Sequence, residues 1–372
     1  MRVLHVLGSM NRGGVETWLM DILRNVDRQR IRMDFLLHTC AKGAFDDEIA
    51  ALGSRVISCP GTRHPGVYAY RFLRRVSAYG PYDVVHSHVH LYSGLVLALA
   101  ASAGIKHRIA HSHNDTTARE AAGAGYRKAY AALMKAGIRR YATMGLAASG
   151  RAADALFGPD WRRDPRWRLL YYGIDVQKFL PKCSRKQLKE RAGLPAGARV
   201  VAHIGRFDPQ KNHPFIVDIA KEVIRRDSRV HFVFVGDGPL RPTIERSCEA
   251  RNIRAHCHFL GIRSDVSEIL GCADAFLFPS LYEGLGLVLI EAQAAGVPCI
   301  YSDVVPKEAD VAPHLITKLP LSEGALGWGE SLLAILSLPA RPVFHGPGSP
   351  VEQSAFTIQK SVAALTDCYL RA

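Results

Sequence analysis

Short, almost wholly apolar runs alternate with stretches of helical periodicity along this chain, and the series occurs twice. Arg2-Val-Leu-His-Val-Leu7 has the length of a strand and no polar face, as expected of a strand covered on both sides. After Gly8-Ser9 and the loop Met10-Asn-Arg-Gly13-Gly14, the apolar residues Val15, Trp18, Leu19, Ile22, Leu23 and Val26 are spaced as one helical stripe. The pattern continues as strand 33–37, helix 45–52, strand 55–57 and helix 67–79, then strands at Val84-Val85 and at 108–110. It loosens over 157–182, where the interdomain crossing is expected. It resumes with strands 200–204, 230–235, 275–278 and 299–301. Such alternation predicts an α/β protein of two doubly wound, Rossmann-like domains, each a parallel sheet with helices on both faces. Ligand crevices lie at the carboxyl ends of the strands in such sheets. Two halves facing each other would therefore enclose a cleft.

Length supports this division, since 372 residues exceed one ordinary core and suit two domains of roughly 150–200 residues. The longest uncharged apolar stretch, 91–105, falls short of the roughly 20 residues that span a bilayer and reads as a buried helix. No signal-peptide pattern is found near the N-terminus, so a cytoplasmic location is expected. The eight cysteines include no C-x-x-C pair and read as reduced thiols. The net charge of +14 is uneven: residues 1–170 hold 25 Lys/Arg against 13 Asp/Glu, and the remainder 23 against 21. An excess confined to one half implies an anionic partner there. Nucleic acid, an anionic membrane surface and a phosphorylated acceptor are the candidates. No nucleic-acid-binding motif accompanies the basic clusters, which favours the inner face of the cytoplasmic membrane and no nucleic acid.

The segment richest in chemistry is Leu281-Tyr-Glu283-Gly284-Leu285-Gly286-Leu287-Val-Leu-Ile-Glu291-Ala-Gln-Ala-Ala-Gly296-Val-Pro298. Gly284 and Gly286 permit a tight loop. A helix is expected from Leu287 to about Ala295, stopped by Gly296 and Pro298. A glycine-bearing loop running into a helix start offers N–H groups and a positive dipole end to a phosphate. Glu291 can accept hydrogen bonds from two adjacent hydroxyls, as on a ribose, and Glu283 from hydroxyls of a second group. One anion site between two such carboxylates fits a nucleoside diphosphate sugar. Farther back, Gly205-Arg206-Phe-Asp-Pro-Gln-Lys211 follows an apolar strand and could bring two cations onto one diphosphate. Gly13-Gly14 at the start of the first helix provides further N–H donors.

The runs Phe276-Leu-Phe-Pro279-Ser280, Tyr282-Glu283-Gly284-x-Gly286, Glu291-Ala292 and Gly296-x-Pro298 resemble the nucleotide-sugar signature of the family 4 retaining glycosyltransferases, which have the GT-B fold. The resemblance extends, loosely over 304–350, to nearly the whole chain. It implies an N-terminal acceptor-side domain, 1–170, and a nucleotide-sugar domain, 171–352. The last helix, 353–372, is expected to pack back on the first domain. It implies that Arg206 and Lys211 bind the donor phosphates, that Glu283 holds the donor sugar and Glu291 the ribose, and that the Gly284, Leu285, Gly286 and Leu287 backbone holds the diphosphate. Gly236, in Val235-Gly-Asp-Gly-Pro239, matches a family turn, and Gly261-Ile262 lies in the segment whose backbone reads the nucleobase. Met10-Asn-Arg-Gly13-Gly14-Val-Glu16 is similar to the family's Gly-Gly-x-Glu entry. His113, in Ala110-His-Ser-His-Asn114, matches the histidine near the reacting sugar, with His111 its close competitor.

Alternation places His86, His88 and His90 on one side of a strand, a possible metal arrangement. Neither histidine run carries an acid or Cys at ligand spacing, and no Asp-x-Asp occurs in the chain, so no metal cofactor is expected. His256-Cys257-His258 is read as alternating across a strand, with no shared ligand. One departure is plain: Tyr172-Gly-Ile-Asp175 has Tyr where the family has Asn.

The expected activity is retaining transfer of a hexose from a nucleoside diphosphate sugar, uridine first and guanosine second, to a saccharide hydroxyl. The closest likeness within the family is to bacterial exopolysaccharide and capsule enzymes, whose acceptors typically sit on polyprenyl diphosphate. A nucleotide-sugar epimerase of the same architecture and a nucleic-acid-binding protein are the alternatives.

Overall fold

The computed structural model describes residues 1–180, 185–191, 193–195, 197–338 and 348–370, and its strands form two wholly parallel sheets. Cys183 and most of the Pro/Gly-rich loop 341–350 lie outside the described residues. The first sheet contains β1 (Arg2–Leu7), β2 (Arg32–Leu37), β3 (Val56–Ser58), β4 (Val84–Ser87), β5 (His107–Ser112), β6 (Met144–Ala147) and β7 (Trp167–Leu169) in the order β3-β2-β1-β4-β5-β6-β7. The second contains β8 (Arg199–Ile204), β9 (Val230–Val235), β10 (Cys257–Gly261), β11 (Ala275–Phe278), β12 (Cys299–Ser302) and β13 (Ile316–Leu319) in the order β10-β9-β8-β11-β12-β13. Strand order reverses between β1 and β4 in one sheet and between β8 and β11 in the other. At such a switch point successive crossovers leave for opposite sides and open a crevice beyond the strand ends.

The chain divides into two units, one of Met1–Ile174 with the segment from Ile358 onward, the other of Asp175–Thr357. The final helix, Ile358–Leu370, is tied into the first unit by several bonds. Ile358 N donates to Ile174 O at 2.9 Å, and Trp18 Nε1 donates to Ser361 Oγ at 2.9 Å. The Ser361 hydroxyl in turn donates to Tyr171 O. In the second unit, helix Gly324–Ser337 buries Trp328, whose Nε1 donates to Pro320 O at 3.0 Å, against Phe215. That helix and β13 organise the segment where the sequence pattern is loose. Among the described residues no helix is long and apolar enough to cross a membrane.

Two histidine expectations are corrected. β4 ends at Ser87, and His90, with φ of 49°, opens a short helical turn instead of continuing the strand side of His86 and His88. His256, the last residue of a short helical turn, and His258, in β10, share a neighbour, His231, whose ring lies 4.9 Å and 5.2 Å from theirs, so the two do not point to opposite sides.

Helix Ser93–Ser102, the apolar stretch within 91–105, packs against Gly125–Tyr141 through Gly94. A Cβ there would stand 2.4 Å from the Met134 carbonyl oxygen. Gly94→Ala is therefore expected to force these helices apart and to destabilise the first unit by about 2 kcal/mol, measured as a lower urea midpoint.

Candidate active site

At the switch point of the second unit, the loop after β8 meets the loop after β11. Leu281 N donates to Gln210 O at 2.8 Å, Gln210 Nε2 to Tyr282 O at 3.0 Å, and Asn212 Nδ2 to Pro279 O at 3.2 Å. Asn212 adopts the left-handed conformation, φ 56°, and turns the chain directly into helix His213–Arg226. These backbone ties hold Lys211 opposite Glu283, and Nζ donates to Oε1 at 2.5 Å. Both side chains are largely shielded, 16% and 6% exposed, and the ammonium also lies 4.5 Å from the centre of the Phe278 ring. Lys211 is thus a compensated cation. Arg206, in the same loop, is exposed and forms no ion pair among the described residues.

The remaining residues of this group border the same strand ends. Gly236, φ 131°, allows the ends of β8 and β9 to approach so closely that a Cβ would stand 2.1 Å from Gly205 O. Gly236 N donates to Gly261 O at 2.8 Å, which joins the end of β10 to the set. Ile262, next along, is 60% exposed, unusual for an apolar residue and suited to a flat apolar ligand face. Gly284 and Leu285 are buried, so they offer backbone. Gly286, φ 81°, starts helix Leu287–Ala294 with no side chain capping it, and Glu291 lies one turn along, half-buried. An uncapped helix start and an exposed guanidinium are groups that suit an anion, and carboxylates are groups that accept from hydroxyls.

In the first unit, Gly13 and Gly14 are exposed at the uncapped start of helix Gly14–Asn25. A side chain at Gly13 would collide with the Glu16 carboxylate, 2.4 Å from its Cβ position. His113 lies at the end of β5 in a cluster of five histidines. Its Nε2 meets His88 Nδ1 at 3.0 Å, and its Nδ1 meets the Tyr172 hydroxyl. Both nitrogens therefore hold partners, and a substrate hydroxyl reaches either one only by displacing His88 or Tyr172. His111 is completely buried, bonded to His86 and Tyr172, which leaves His113 the more accessible of the two.

Gln210, Asn212, Phe278, His5, Tyr172 and Tyr369 were not anticipated as parts of these groups. The signals among them were the change from Asn to Tyr at 172 and the place of Gln210 and Phe278 inside the loop and strand motifs.

Burial holds His5 and His113 at pKa values of about 3, and burial with like-charge repulsion holds His86, His88 and His111 well below the usual range. The unfolded chain binds protons at these positions below pH of about 6.5, and the folded chain does not. Stability is therefore full above that pH and falls as the pH drops toward 3, by up to about 1.4 kcal/mol per unit for each histidine. A clear fall in urea midpoint between pH 7.5 and 5 is expected. Separately, Lys211→Gln leaves the Glu283 carboxylate buried without its cation and is expected to cost about 3 kcal/mol. The double change Lys211→Gln/Glu283→Gln should recover part of this loss in a denaturation cycle.

Residues 13–173 match the family described as glycosyl transferase 4-like domain, and residues 184–324 match glycosyl transferases group 1. Across 99% of its length the chain is 34% identical to the protein named glycosyltransferase EpsF of Bacillus subtilis (strain 168), covering 96% of that protein. It is 37% identical over 136 residues to the UDP-Gal:alpha-D-GlcNAc-diphosphoundecaprenol alpha-1,3-galactosyltransferase of Escherichia coli, 36% of this chain and 35% of that one. Among solved structures, Anabaena HepE in complex with UDP and glucose matches with a TM-score of 0.80 and 17% identity, 100% of both chains being covered. That last likeness bears on fold alone and agrees with the two parallel sheets. With the near full-length relative and both family matches, the chain belongs to the family 4-like glycosyltransferases of GT-B fold.

Proposed function

We propose that this glycosyltransferase is a retaining hexosyltransferase that takes its sugar from a nucleoside diphosphate, uridine before guanosine. The acceptor is a saccharide hydroxyl carried on a polyprenyl diphosphate, in the assembly of an exopolysaccharide or capsule. The carrying observation is the contrast between Arg206 and Lys211. Lys211 is neutralised by Glu283, whereas Arg206 is exposed and forms no ion pair among the described residues, so its guanidinium is the cation of the loop left to face a ligand. Negative charge builds on the departing diphosphate in the transition state. A fixed guanidinium then stabilises that state more than the ground state. The Gly284–Leu287 backbone and the helix start share the diphosphate, Glu291 accepts from the ribose, and Gly261-Ile262 borders the base. Oε1 of Glu283 is taken by Lys211, which leaves Oε2 to a hydroxyl of the transferred sugar.

Retention follows if the acceptor attacks from the face the diphosphate leaves. The departing phosphate oxygen then takes the acceptor proton, and the new glycosidic bond forms as the old one breaks through an oxocarbenium-like state. No protein base stronger than a neutral imidazole is needed, and no metal ion. The Escherichia coli relative, whose name specifies a UDP-sugar donor and a diphosphoundecaprenol-linked acceptor, supports both substrate assignments.

A membrane-held acceptor also suits the first unit. Helix Gly125–Tyr141 exposes Tyr126, Tyr130 and Leu133 beside Arg127, Lys128, Arg139 and Arg140, and helix Pro65–Tyr79 exposes Val67, Tyr70 and Leu73 beside Arg71, Arg74 and Arg75. Apolar and aromatic side chains among cations are the composition of a surface that rests on anionic lipid. Peripheral association with the inner leaflet is accordingly part of the proposal.

Arg206→Ala is expected to lower kcat/KM by roughly 100-fold or more while leaving the fold intact; near-normal turnover would overturn the assignment. UDP should raise the melting temperature more than GDP does. Activity should persist in EDTA, and donor alone should give no epimerised sugar. Binding should be stronger to anionic than to neutral vesicles and weaker for Tyr126→Ser/Leu133→Ser.

A further inference from the structure

The five histidines of the first unit and two tyrosines touch one another in a single closed circuit. His5 Nδ1 meets His88 Nε2 at 3.0 Å, and His88 Nδ1 meets His113 Nε2 at 3.0 Å. His113 Nδ1 meets the Tyr172 hydroxyl, which meets His111 Nε2 at 3.4 Å. His111 Nδ1 meets His86 Nε2 at 3.0 Å, His86 Nδ1 meets the Tyr369 hydroxyl at 2.8 Å, and that hydroxyl returns to His5 Nε2 at 3.3 Å. Traced in this direction, every imidazole is entered at Nε2 and left from Nδ1.

A neutral imidazole has one N–H and one acceptor nitrogen, and a phenol one O–H and an acceptor oxygen. Seven such groups in a closed circuit satisfy all seven contacts with seven protons, provided every donor points the same way round. Because of the uniform order of entry and exit, that condition also fixes the tautomers together. In one direction all five histidines are protonated at Nδ1, in the other all five at Nε2. We propose that His5, His88, His113, Tyr172, His111, His86 and Tyr369 form one uncharged, one-directional hydrogen-bond ring in which the five imidazoles share a single tautomer, and that Tyr172 and Tyr369 are positioning residues that keep His113 neutral and set its tautomer.

An additional proton on any imidazole would make it a double donor: a neighbouring imidazole then meets it with a second donor, or a neighbouring hydroxyl must turn its own O–H out of the circuit, and either way the one-directional ring is broken. The surroundings offer little compensation. Phe35 stacks on His5 at 5.4 Å, and Trp18 stacks on Tyr172 at 4.4 Å and lies edge-on to His111. The titratable neighbours are Glu16 facing Tyr172, His90 facing His113 and Cys368 facing Tyr369. Moving each proton along its own contact reverses the ring and exchanges the donor and acceptor nitrogens of His113 without a change of side-chain position. Cooperative strengthening along such a chain favours the closed over the opened form.

The same side chains raise the competing idea of a metal centre. The ligand atoms of His5, His86 and His88, and of His88, His111 and His113, lie within 4.8 Å of one another. Every one of those nitrogens already has a ring partner, and occupancy would require dismantling the circuit.

The test uses the full chain labelled with 15N at histidine, read by long-range imidazole proton–nitrogen correlations. Five neutral rings of one common tautomer, unchanged from pH 8 to 5.5, are expected. Tyr172→Phe and Tyr369→Phe each remove one hydroxyl and keep the aromatic ring. Each should mix the tautomers, make His113 titrate above pH 5.5, and move the acid limb of kcat/KM upward. Variants that lose thermal stability yet keep the common tautomer and the wild-type pH limb would overturn the proposal. So would mixed tautomers in the wild type, or a stoichiometric transition metal that survives dialysis and leaves with chelator. The shift of the kcat/KM limb rests on the transfer reaction proposed above with His113 beside the reacting groups, whereas the tautomer readout does not depend on turnover, so the two can fail separately.

Discussion

Hydrogen bonding between parallel strands that are covered on both faces is the constraint from which the rest of this molecule follows. A parallel pair cannot be joined by a tight turn, so each connection must cross over the sheet, usually as a helix, and return to the same end. Every strand therefore delivers its following loop to one edge of its sheet. Strand order then reverses at β1/β4 and at β8/β11, and there the loops diverge and leave polar side chains without a covering helix. Arg206, Lys211 and Glu283 follow β8 and β11 at one of these places, and Gly13 and Gly14 follow β1 at the other.

Electrostatics divides labour within the second unit. Burying a lysine costs desolvation that only a close carboxylate offsets, and Glu283 does so at 2.5 Å. The pair joins two loops and fixes the position of the carboxylate, but adds no net charge. Arg206 carries no such burden and stays in solvent. An exposed cation and a buried, paired one thus stand side by side in one short loop.

Much of this was legible in the chain because the informative residues are close in sequence. β1, β8, β9, β11 and β12 are mostly apolar runs, and the helix beginning at Leu287 is announced by its flanking glycines. β6 was missed because Gly145 interrupts it, a glycine required by Trp167, whose ring would stand 2.2 Å from a Cβ there. β13 was missed as an edge strand with polar Thr317 and Lys318. Helix Gly125–Tyr141 keeps apolar residues on its exposed face, which blurs the stripe that periodicity detects. The histidine circuit was out of reach for a different reason. His5 and Tyr369 meet across 364 positions, and only tertiary structure brings His88 between His5 and His113.

The return of the final helix to the first unit has a consequence for synthesis. Ser361 receives the Trp18 indole N–H, and Tyr369 closes the circuit between His5 and His86. All of Asp175–Thr357 must be translated before either residue exists. The unit translated first is thus the last to be completed, and until then Trp18 and two imidazoles, those of His5 and His86, lack their partners. The second unit, continuous in the chain, has no such delay and can finish its core while the first still waits.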